Sequence, residues 1–251
     1  IKERRMKKMR FKVLCTIVKG DSFSQDYHRN ILSMLKSGLD RYEEIFKEFF
    51  GSNKQKKYCW SVFFKNSRFE KDRILLQGEK KEFIINFSIL NNNDAINIYN
   101  AFINIKGKHI NISDNLTVKV ANITILPAKE VKGISLKGKT MSPIVCRDHN
   151  QETQEDTYYT GNDDKFVSIL KRNLYLEMKN EYGEYIKKDI EDLIIKTENL
   201  KKNVVKFYGK FIDTSIGTIC LEGKNYLLNY IYSSGLGSLR GSGYGLLEIT
   251  P

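Results

Sequence analysis

The residues best suited to chemistry lie in a glycine-rich stretch close to residue 250. It runs Gly235-Leu236-Gly237-Ser238-Leu239-Arg240-Gly241-Ser242-Gly243-Tyr244-Gly245, and we call residues 235–245 the glycine segment. Glycine adopts positive φ and lets a partner approach the main chain, because it has no Cβ. Five glycines around the central Arg240 therefore predict a loop that binds an anion such as phosphate through its N–H groups and guanidinium.

Two other interpretations of the glycine segment differ in strength. A dinucleotide-binding fingerprint needs a third glycine and a following helix. Arg240 stands where that glycine would be, and Leu246-Leu247-Glu248-Ile249 is typical of a strand. The dinucleotide interpretation is therefore excluded, whereas a purely structural glycine-rich hairpin remains the alternative to phosphate binding.

The composition indicates a globular, basic protein. Its 251 residues suit one large domain or two smaller ones, and 42 Lys and Arg against 30 Asp and Glu give a net charge of +12. Such an excess favours polyanions, above all nucleic acid, although surface lysines that only confer solubility are the alternative. No apolar run approaches the roughly 20 residues that span a bilayer, and no signal peptide is evident. We therefore expect a cytoplasmic protein without membrane contact.

The cysteines do not predict a metal site. Cys15, Cys59, Cys146 and Cys220 are far apart and form no C-x-x-C pair. Cys146 and His149 are three residues apart, but no second pair completes a set of zinc ligands. We expect buried free thiols, no metal and no cofactor.

Hydrophobic periodicity gives the first half of the chain the order β-α-β-β-α-β. Strands are predicted at 10–18, 58–64, 73–76, 83–90 and 116–126, and helices after an N-cap at Ser24, before Gly51, and from Asn93 or Asp94 to Gly107. This order is typical of the ferredoxin-like arrangement. It predicts an N-terminal domain over residues 1–126.

The second half repeats that order. Strands are predicted at 134–146, 190–195, 204–211, 216–221 and 246–249, with a polar loop at 147–160 and helices from Gly161 and at 224–232. We therefore predict an α+β fold of two tandem ferredoxin-like (RRM-like) β-α-β-β-α-β domains side by side, the second over residues 134–251. Lys201, Lys202 and Lys206 crowd one turn and strand. Two such sheets on a basic chain suit single-stranded RNA.

Three motifs resemble a known family. Gly-Leu-Gly, five residues, Gly-Tyr-Gly and a closing strand resemble the glycine-rich signature of the sixth CRISPR-associated family, the repeat-processing endoribonucleases of the RAMP superfamily. Residues 141–145, with Ser142-Pro143-Ile144-Val145, are similar to the strand that opens that family's second domain, and Tyr226-Leu227-Leu228 fits its last helix. The resemblance covers residues 10–249. It implies RNA binding by the glycine segment, through Gly235, Gly237, Arg240, Gly241, Gly243 and Gly245. The net charge and the lysine cluster predict further RNA contacts at Lys201, Lys202 and Lys206.

The resemblance implies cleavage of CRISPR repeat RNA into guide RNAs without a metal. A 2′-hydroxyl attacks the adjacent phosphorus and expels a 5′-hydroxyl, which leaves a 2′,3′-cyclic phosphate. That reaction needs a base, an acid and positive charge near the phosphate. The implied partners are repeat RNA or precursor guide RNA and, as a further class, subunits of CRISPR effector complexes. The protein is expected to be a monomer or a homodimer.

His28 is the predicted acid or base, because the family often uses a histidine in or just after this region and histidine titrates near neutrality. Tyr27 is predicted to orient the nucleophile. Lys54 and Lys56, with Lys57, are predicted to contact phosphate or stabilise developing charge. The alternative for His28 is a helix-capping or packing role, and Tyr27 suits a core position equally well.

The sequence departs from one common family pattern, in which a histidine follows the first helical hairpin. Residues 47–57 contain none, while His109 is predicted in a turn and His149 in the acidic loop. Three hypotheses stay open: His28 acts, lysines carry the charge with slow chemistry, or the protein is a non-catalytic CRISPR RNA-binding protein of the same fold. An unrelated tandem RRM-like module predicts aromatic pairs on central strands, for which the chain offers Tyr58 with Trp60 and Phe207 with Tyr208.

Overall fold

A computed structural model describes residues 8–51, 55–127 and 129–250 of the chain. The chain forms two compact units. The first comprises Ile1–Lys54, Ser61–Ala128 and Lys206–Lys210, and the second comprises Gln55–Trp60, Lys129–Val205 and Phe211–Pro251. Each unit thus contains a short segment from the other half of the sequence. The predicted domain ranges, 1–126 and 134–251, stay a prediction, and the two compact units differ from them by these exchanged segments.

The first half of the chain forms mainly antiparallel strands and three amphipathic helices in the described residues. In chain order they are β1 (Met9–Lys19), β2 (Ser22–Ser24), α1 (His28–Leu39), α2 (Glu43–Phe50), β3 (Tyr58–Phe64), β4 (Ser67–Phe69), β5 (Arg73–Leu76), β6 (Glu82–Ile89), α3 (Asn92–Ile105), β7 (His109–Ser113) and β8 (Leu116–Leu126).

The principal sheet of the first half has the strand order β3-β6-β1-β8-β7, and β2, β5 and β4 form a small separate sheet. Central β1 pairs antiparallel with both β6 and β8. Phe11 on β1 and Phe87 on β6 are buried, and their rings stack with centroids 5.0 Å apart. Tyr99 and Phe102 of α3 pack on these rings, so α3 covers this face of the sheet.

Several predicted boundaries in the first half change. Helix α1 begins at His28, and Ser24 ends strand β2 instead of capping the helix. Helix α3 is capped by Asn91, whose side chain accepts the N–H of Asp94 at 2.7 Å, not by Asn93 or Asp94. His109 begins strand β7 and does not lie in a turn, because residues 109–113 pair with β8.

The second half forms further strands and three helices among the described residues. In chain order they are β9 (Ser135–Thr140), β10 (Cys146–His149), β11 (Asp156–Tyr159), α4 (Phe166–Tyr182), α5 (Ile186–Glu191), β12 (Ile194–Lys196), β13 (Leu200–Phe207), β14 (Lys210–Glu222), α6 (Asn225–Ser234) and β15 (Leu247–Ile249).

The second sheet has the order β12-β14-β9-β15, with β13 also paired to β14. In each half, the first long strand therefore lies between the last strand and the second hairpin strand, which is the ferredoxin-like order. Buried side chains of α4, among them Phe166, Leu170 and Leu174, contribute to the core. The prediction of an α+β chain with two ferredoxin-like halves is confirmed.

Three predictions about the second half are wrong. The strand expected at 134–146 ends at Thr140, ahead of Pro143, which has no N–H to donate to a ladder. The loop expected at 147–160 contains the hairpin of β10 and β11, and residues 186–191 form helix α5 in place of the start of a strand. Within residues 8–51, 55–127 and 129–250, no helix is both long and apolar enough to cross a membrane.

Candidate nucleic-acid interface

The glycine segment is a tightly held connection between α6 and β15. Backbone hydrogen bonds run from Leu236 N–H to Gly245 O at 2.9 Å and from Gly245 N–H to Pro143 O at 2.8 Å. A short 3₁₀ turn, Arg240–Ser242, forms its middle. Most of its residues are buried. Its conformation is therefore fixed by the protein itself.

Gly243 contacts a tryptophan and is shielded from solvent. Its φ is +97°, and a Cβ placed there would lie 2.7 Å from the Trp60 ring. The Trp60 side chain is 1% exposed, and its Nε1–H donates to Gly241 O at 2.9 Å. Any L side chain at position 243 would overlap the indole. Close approach is thus required at Gly243, but the approaching group is Trp60 and not a phosphate.

The other predicted glycines also meet protein atoms. A Cβ at each would fall within 3 Å of a neighbour: Cys59 for Gly235, Val145 O for Gly237 and Leu236 O for Gly245. These glycines allow protein to pack on protein. The structural hairpin, which was the alternative to phosphate binding, describes this part of the segment.

Arg240, predicted to bind phosphate, is 2% exposed. It forms an ion pair with Glu177 of α4, and its Nη1 donates to Ser234 Oγ at 2.9 Å and to Gly235 O at 3.1 Å. The Tyr230 hydroxyl donates to the same Glu177 carboxylate. Burial alone would lower the pKa of Arg240, but the Glu177 charge holds it above its ordinary value. Arg240 therefore anchors the glycine segment to α4 and is not accessible to RNA.

One basic stretch lies directly on the glycine segment, and we call its residues 55–57 the lysine segment. A Cβ on Gly241 would stand 2.7 Å from Lys56 Cγ and 3.2 Å from Lys56 Cβ. Gln55 Nε2 donates to Gly237 O at 3.3 Å. Lys56 is half-buried. The missing side chain at position 241 is thus what lets Lys56 lie across the loop.

The neighbouring lysines are placed differently. Lys57 is half-buried and forms an ion pair with Glu181 of α4, which offsets its charge. Lys54, a predicted catalytic residue, lies outside the described residues. Among the predicted catalytic residues that the structure describes, Lys56 is the one that reaches the glycine segment.

His28 lies in the core of the first unit. Its side chain is 2% exposed, and its ring stacks on Tyr27 with centroids 4.1 Å apart. Burial lowers the pKa of His28 to about 3, so the imidazole is neutral at pH 7 and a weak base. Tyr27 packs edge-on against Phe64 at 5.1 Å, and burial raises its pKa. Both residues have the packing role that was the alternative to catalysis.

The other two histidines are exposed. His149 Nδ1 lies 2.8 Å from Asp156 Oδ1 on the β10–β11 hairpin, and His109 begins β7. Across residues 8–51, 55–127 and 129–250, no three or more His, Cys, Asp or Glu side chains gather as a metal site would require.

The lysines of β13 do not form one patch. Successive side chains of a strand point to opposite faces, so Lys201 faces away from Lys202 and Lys206. Lys202 is paired with Asp213 at 2.7 Å, which reduces its local charge. Lys201 is exposed and Lys206 is half-buried. Lys201 and Lys206 are therefore better suited than Lys202 to contact phosphate.

Sequence reasoning missed three features of the molecule. Glu177 carries no sequence signal that pairs it with Arg240. The contact of residues 55–60 with the glycine segment joins positions far apart in the chain. The turn at Tyr208-Gly209 had a usable signal, because glycine between two strand-forming runs predicts a tight hairpin.

Residues 126–249 match the family model described as CRISPR associated protein Cas6, C-terminal. Residues 126–249 of the chain therefore belong to the Cas6 family. No curated protein matches it. Among solved structures it is similar to the product of a Cas6-related gene from Pyrococcus furiosus, with a TM-score of 0.79, 18% identity and coverage of 97% of this chain and 99% of that one.

Two further structures have the same fold. A RAMP protein described as binding different RNA substrates has a TM-score of 0.79 at 20% identity, over 97% of this chain and 100% of that one. A Cas6 product complex has a TM-score of 0.72 at 12% identity, over 97% and 100%. The family assignment agrees with the resemblance in the glycine-rich motif. Because these identities are low, the similarity to the solved structures shows the fold alone.

Proposed function

We propose that this Cas6 protein is a metal-independent endoribonuclease that cleaves CRISPR repeat RNA into guide RNAs. Family membership supports this proposal, as do the RNA substrates named for a related RAMP protein and the product complex named for a related Cas6. The observation that carries it is the position of Lys56, which lies across Gly241 on a rigid loop. A cation on such a rigid support is suited to a phosphate whose charge increases during reaction.

In the proposed reaction the ribose 2′-oxygen attacks the adjacent phosphorus, and the bond to the 5′-oxygen breaks. The attacking 2′-hydroxyl loses its proton to water, and the leaving 5′-oxygen takes up a proton from water, so the products are a 2′,3′-cyclic phosphate and a 5′-hydroxyl. Negative charge grows on the non-bridging oxygens in the transition state. Lys56, with Lys54 two residues before it, would stabilise that charge. This is the version of the mechanism in which lysines carry the charge and the chemistry is slow.

Precursor RNA is the proposed partner, bound largely through its phosphates. The net charge of +12 and the exposed Lys201 support an electrostatic contribution. The glycine segment contributes indirectly, because its conformation places Lys56. Arg240 and the buried glycines stabilise that conformation and are not proposed as RNA contacts.

Cleavage of repeat RNA in excess chelator tests this function. We expect wild-type protein to cut at its full rate in EDTA, and to stop when the 2′-hydroxyl at the cut is replaced by hydrogen. Loss of cleavage in EDTA, with RNA binding retained, contradicts the metal-independent mechanism. RNA that is bound but never cut, with or without divalent ions, supports the non-catalytic alternative instead.

A further inference from the structure

The turn between β13 and β14 places a tyrosine in an unusual backbone conformation. Its two central residues, Tyr208 and Gly209, have φ of 49° and 82°. A two-residue hairpin turn with both φ positive is of type I′, which favours Asn, Asp or Gly at its first central position. A bulky residue with positive φ is uncommon. The backbone alone therefore gives no reason for a tyrosine at position 208.

Asp26 holds this turn in place within the first unit. Its Oδ1 accepts the N–H of Tyr208 at 3.2 Å, and its Oδ2 accepts the N–H of Gly209 at 3.1 Å. The Asp26 side chain is nearly buried, and residues 206–210 belong to the same unit. Hydrogen bonds to a carboxylate are stronger than neutral ones and offset the unfavourable backbone of Tyr208.

The Tyr208 ring is held at the surface. It is 55% exposed, although tyrosine generally buries much of its ring. The guanidinium of Arg29 lies 5.5 Å from the ring centroid, and the Phe207 ring meets it edge-on at 4.7 Å. These two contacts fix the orientation of the ring while more than half of the side chain remains accessible.

The charges around the ring are complementary to a nucleotide. Lys206 and Lys210 flank the turn, and Arg29 is exposed on α1. Arg29 thus lies beside the accessible ring, and Lys206 and Lys210 stand two residues to either side of Tyr208 in the hairpin, while the Asp26 carboxylate is engaged by the N–H groups of the turn. An aromatic ring with adjacent cations is the arrangement on which an unpaired base stacks while its phosphates are neutralised.

We propose that Tyr208 stacks on an unpaired base of single-stranded RNA, while Arg29, Lys206 and Lys210 contact neighbouring phosphates. A base inside a duplex is already stacked and does not expose its face, so the occupant is single-stranded. The site rests on the proposed function only in taking RNA as the ligand. Tyr208 takes no part in the cleavage chemistry.

A substitution that keeps the turn and removes the ring tests the proposal. Tyr208→Asn suits positive φ, whereas Tyr208→Phe keeps the ring and serves as the matched control. The probes are repeat RNA and a single-stranded oligoribonucleotide carrying 2-aminopurine. We expect Tyr208→Asn to bind about 5- to 150-fold more weakly, the range for loss of one base–aromatic stack. Tyr208→Phe should bind like wild type.

The readouts separate stacking from folding and from charge. Thermal unfolding should show Tyr208→Asn at least as stable as wild type, and its salt slope should be unchanged because every phosphate-binding cation is retained. The 2-aminopurine fluorescence should be quenched by wild type and Tyr208→Phe but not by Tyr208→Asn. If Tyr208→Asn proves unstable, Tyr208→Gly, which also accepts positive φ, provides the same comparison.

Equal affinity and equal quenching by wild type and Tyr208→Asn overturn the stacking proposal. If wild type still cuts repeat RNA in that case, the proposed function stands without it. Binding with Tyr208-dependent quenching but no cleavage supports the stacking site and contradicts the nuclease. A wild-type protein that binds neither RNA contradicts both.

Discussion

His28 and Lys56 are both predicted catalytic residues, and their surroundings are opposite. His28 is buried at the start of α1, where burial lowers its pKa to about 3. Lys56 is half-buried and lies across Gly241. Proton transfer needs both access to substrate and a pKa near the working pH. His28 has the suitable residue type without the suitable environment, whereas Lys56 is partly exposed and is proposed to stabilise charge.

This difference shows that the surroundings of a residue determine its role as much as the chemistry of its side chain does. The glycine segment positions Lys56, because the buried contacts of Arg240 and Gly243 fix the conformation of that segment. We therefore expect large losses of stability when the buried residues that hold the glycine segment are substituted. Substitution of the same residue types at exposed positions should cause small losses.

The largest expected effect is at Glu177, whose carboxylate neutralises the buried Arg240. Glu177→Gln leaves a guanidinium in the core without a counter-charge, and removing one partner of a buried pair costs about 3–5 kcal/mol. Urea unfolding measures the loss. The control is Glu181→Gln on the same helix, which breaks the more exposed pair with Lys57 and should cost less than about 1 kcal/mol. Equal losses in the two variants would mean that Arg240 does not anchor the segment.

Gly243→Ala should have the next largest effect. The added Cβ overlaps the Trp60 ring, and φ of +97° is strained for alanine. Overpacking and strain each cost about 1–3 kcal/mol, so we expect about 2–4 kcal/mol in thermal unfolding. Gly78→Ala is the matched control, since Gly78 has φ of +88° with no atom near its Cβ position. If Gly78→Ala is as destabilising as Gly243→Ala, contact with Trp60 is irrelevant.

The pH dependence of stability tests the burial of His28. His28 has a pKa of about 3 in the folded state, while an unfolded histidine titrates near 6.5. Between these values the unfolded state binds more protons, so His28 favours folding above about pH 6.5 and loses that contribution as the pH falls. The loss is about 2 kcal/mol between about pH 6.5 and pH 5.

His28→Gln removes this titration, and its stability should fall less than that of wild type over the same pH range. Parallel pH profiles for wild type and His28→Gln would place His28 in contact with solvent and reopen its catalytic assignment.

The smallest effect concerns the lysines of β13. Removing one lysine that neutralises a phosphate lowers the salt slope of RNA binding by about one. Lys201→Gln with Lys206→Gln should therefore flatten the log–log slope by up to about two. Lys202→Gln should change it less than either, because Asp213 already pairs with Lys202. A larger change from Lys202→Gln alone would show that RNA displaces Asp213.

The fold could be predicted because hydrophobic periodicity is local. The run from Leu116 to Leu126 alternates along its own strand, and the ferredoxin-like order followed from such runs. The candidate site could not be predicted from the sequence, because its contacts join residues that are far apart in the chain: Arg240 contacts Glu177, and Lys56 contacts Gly241. The burial of His28 was equally hidden, because a polar residue at a helix start gives no local sign of the core around it.

Single-turnover cleavage of repeat RNA at saturating enzyme tests the central claim most directly, with Lys56→Ala and His28→Gln compared. Lys56→Ala should cut about 10²–10³-fold more slowly, the loss typical of one group that stabilises transition-state charge. Lys57→Ala, whose charge is offset by Glu181, is the control and should lose less. His28→Gln should stay within about threefold of wild type, since no proton passes through a buried imidazole. A slow His28→Gln beside a Lys56→Ala that cuts at the wild-type rate would contradict the assignment of the chemistry to Lys56.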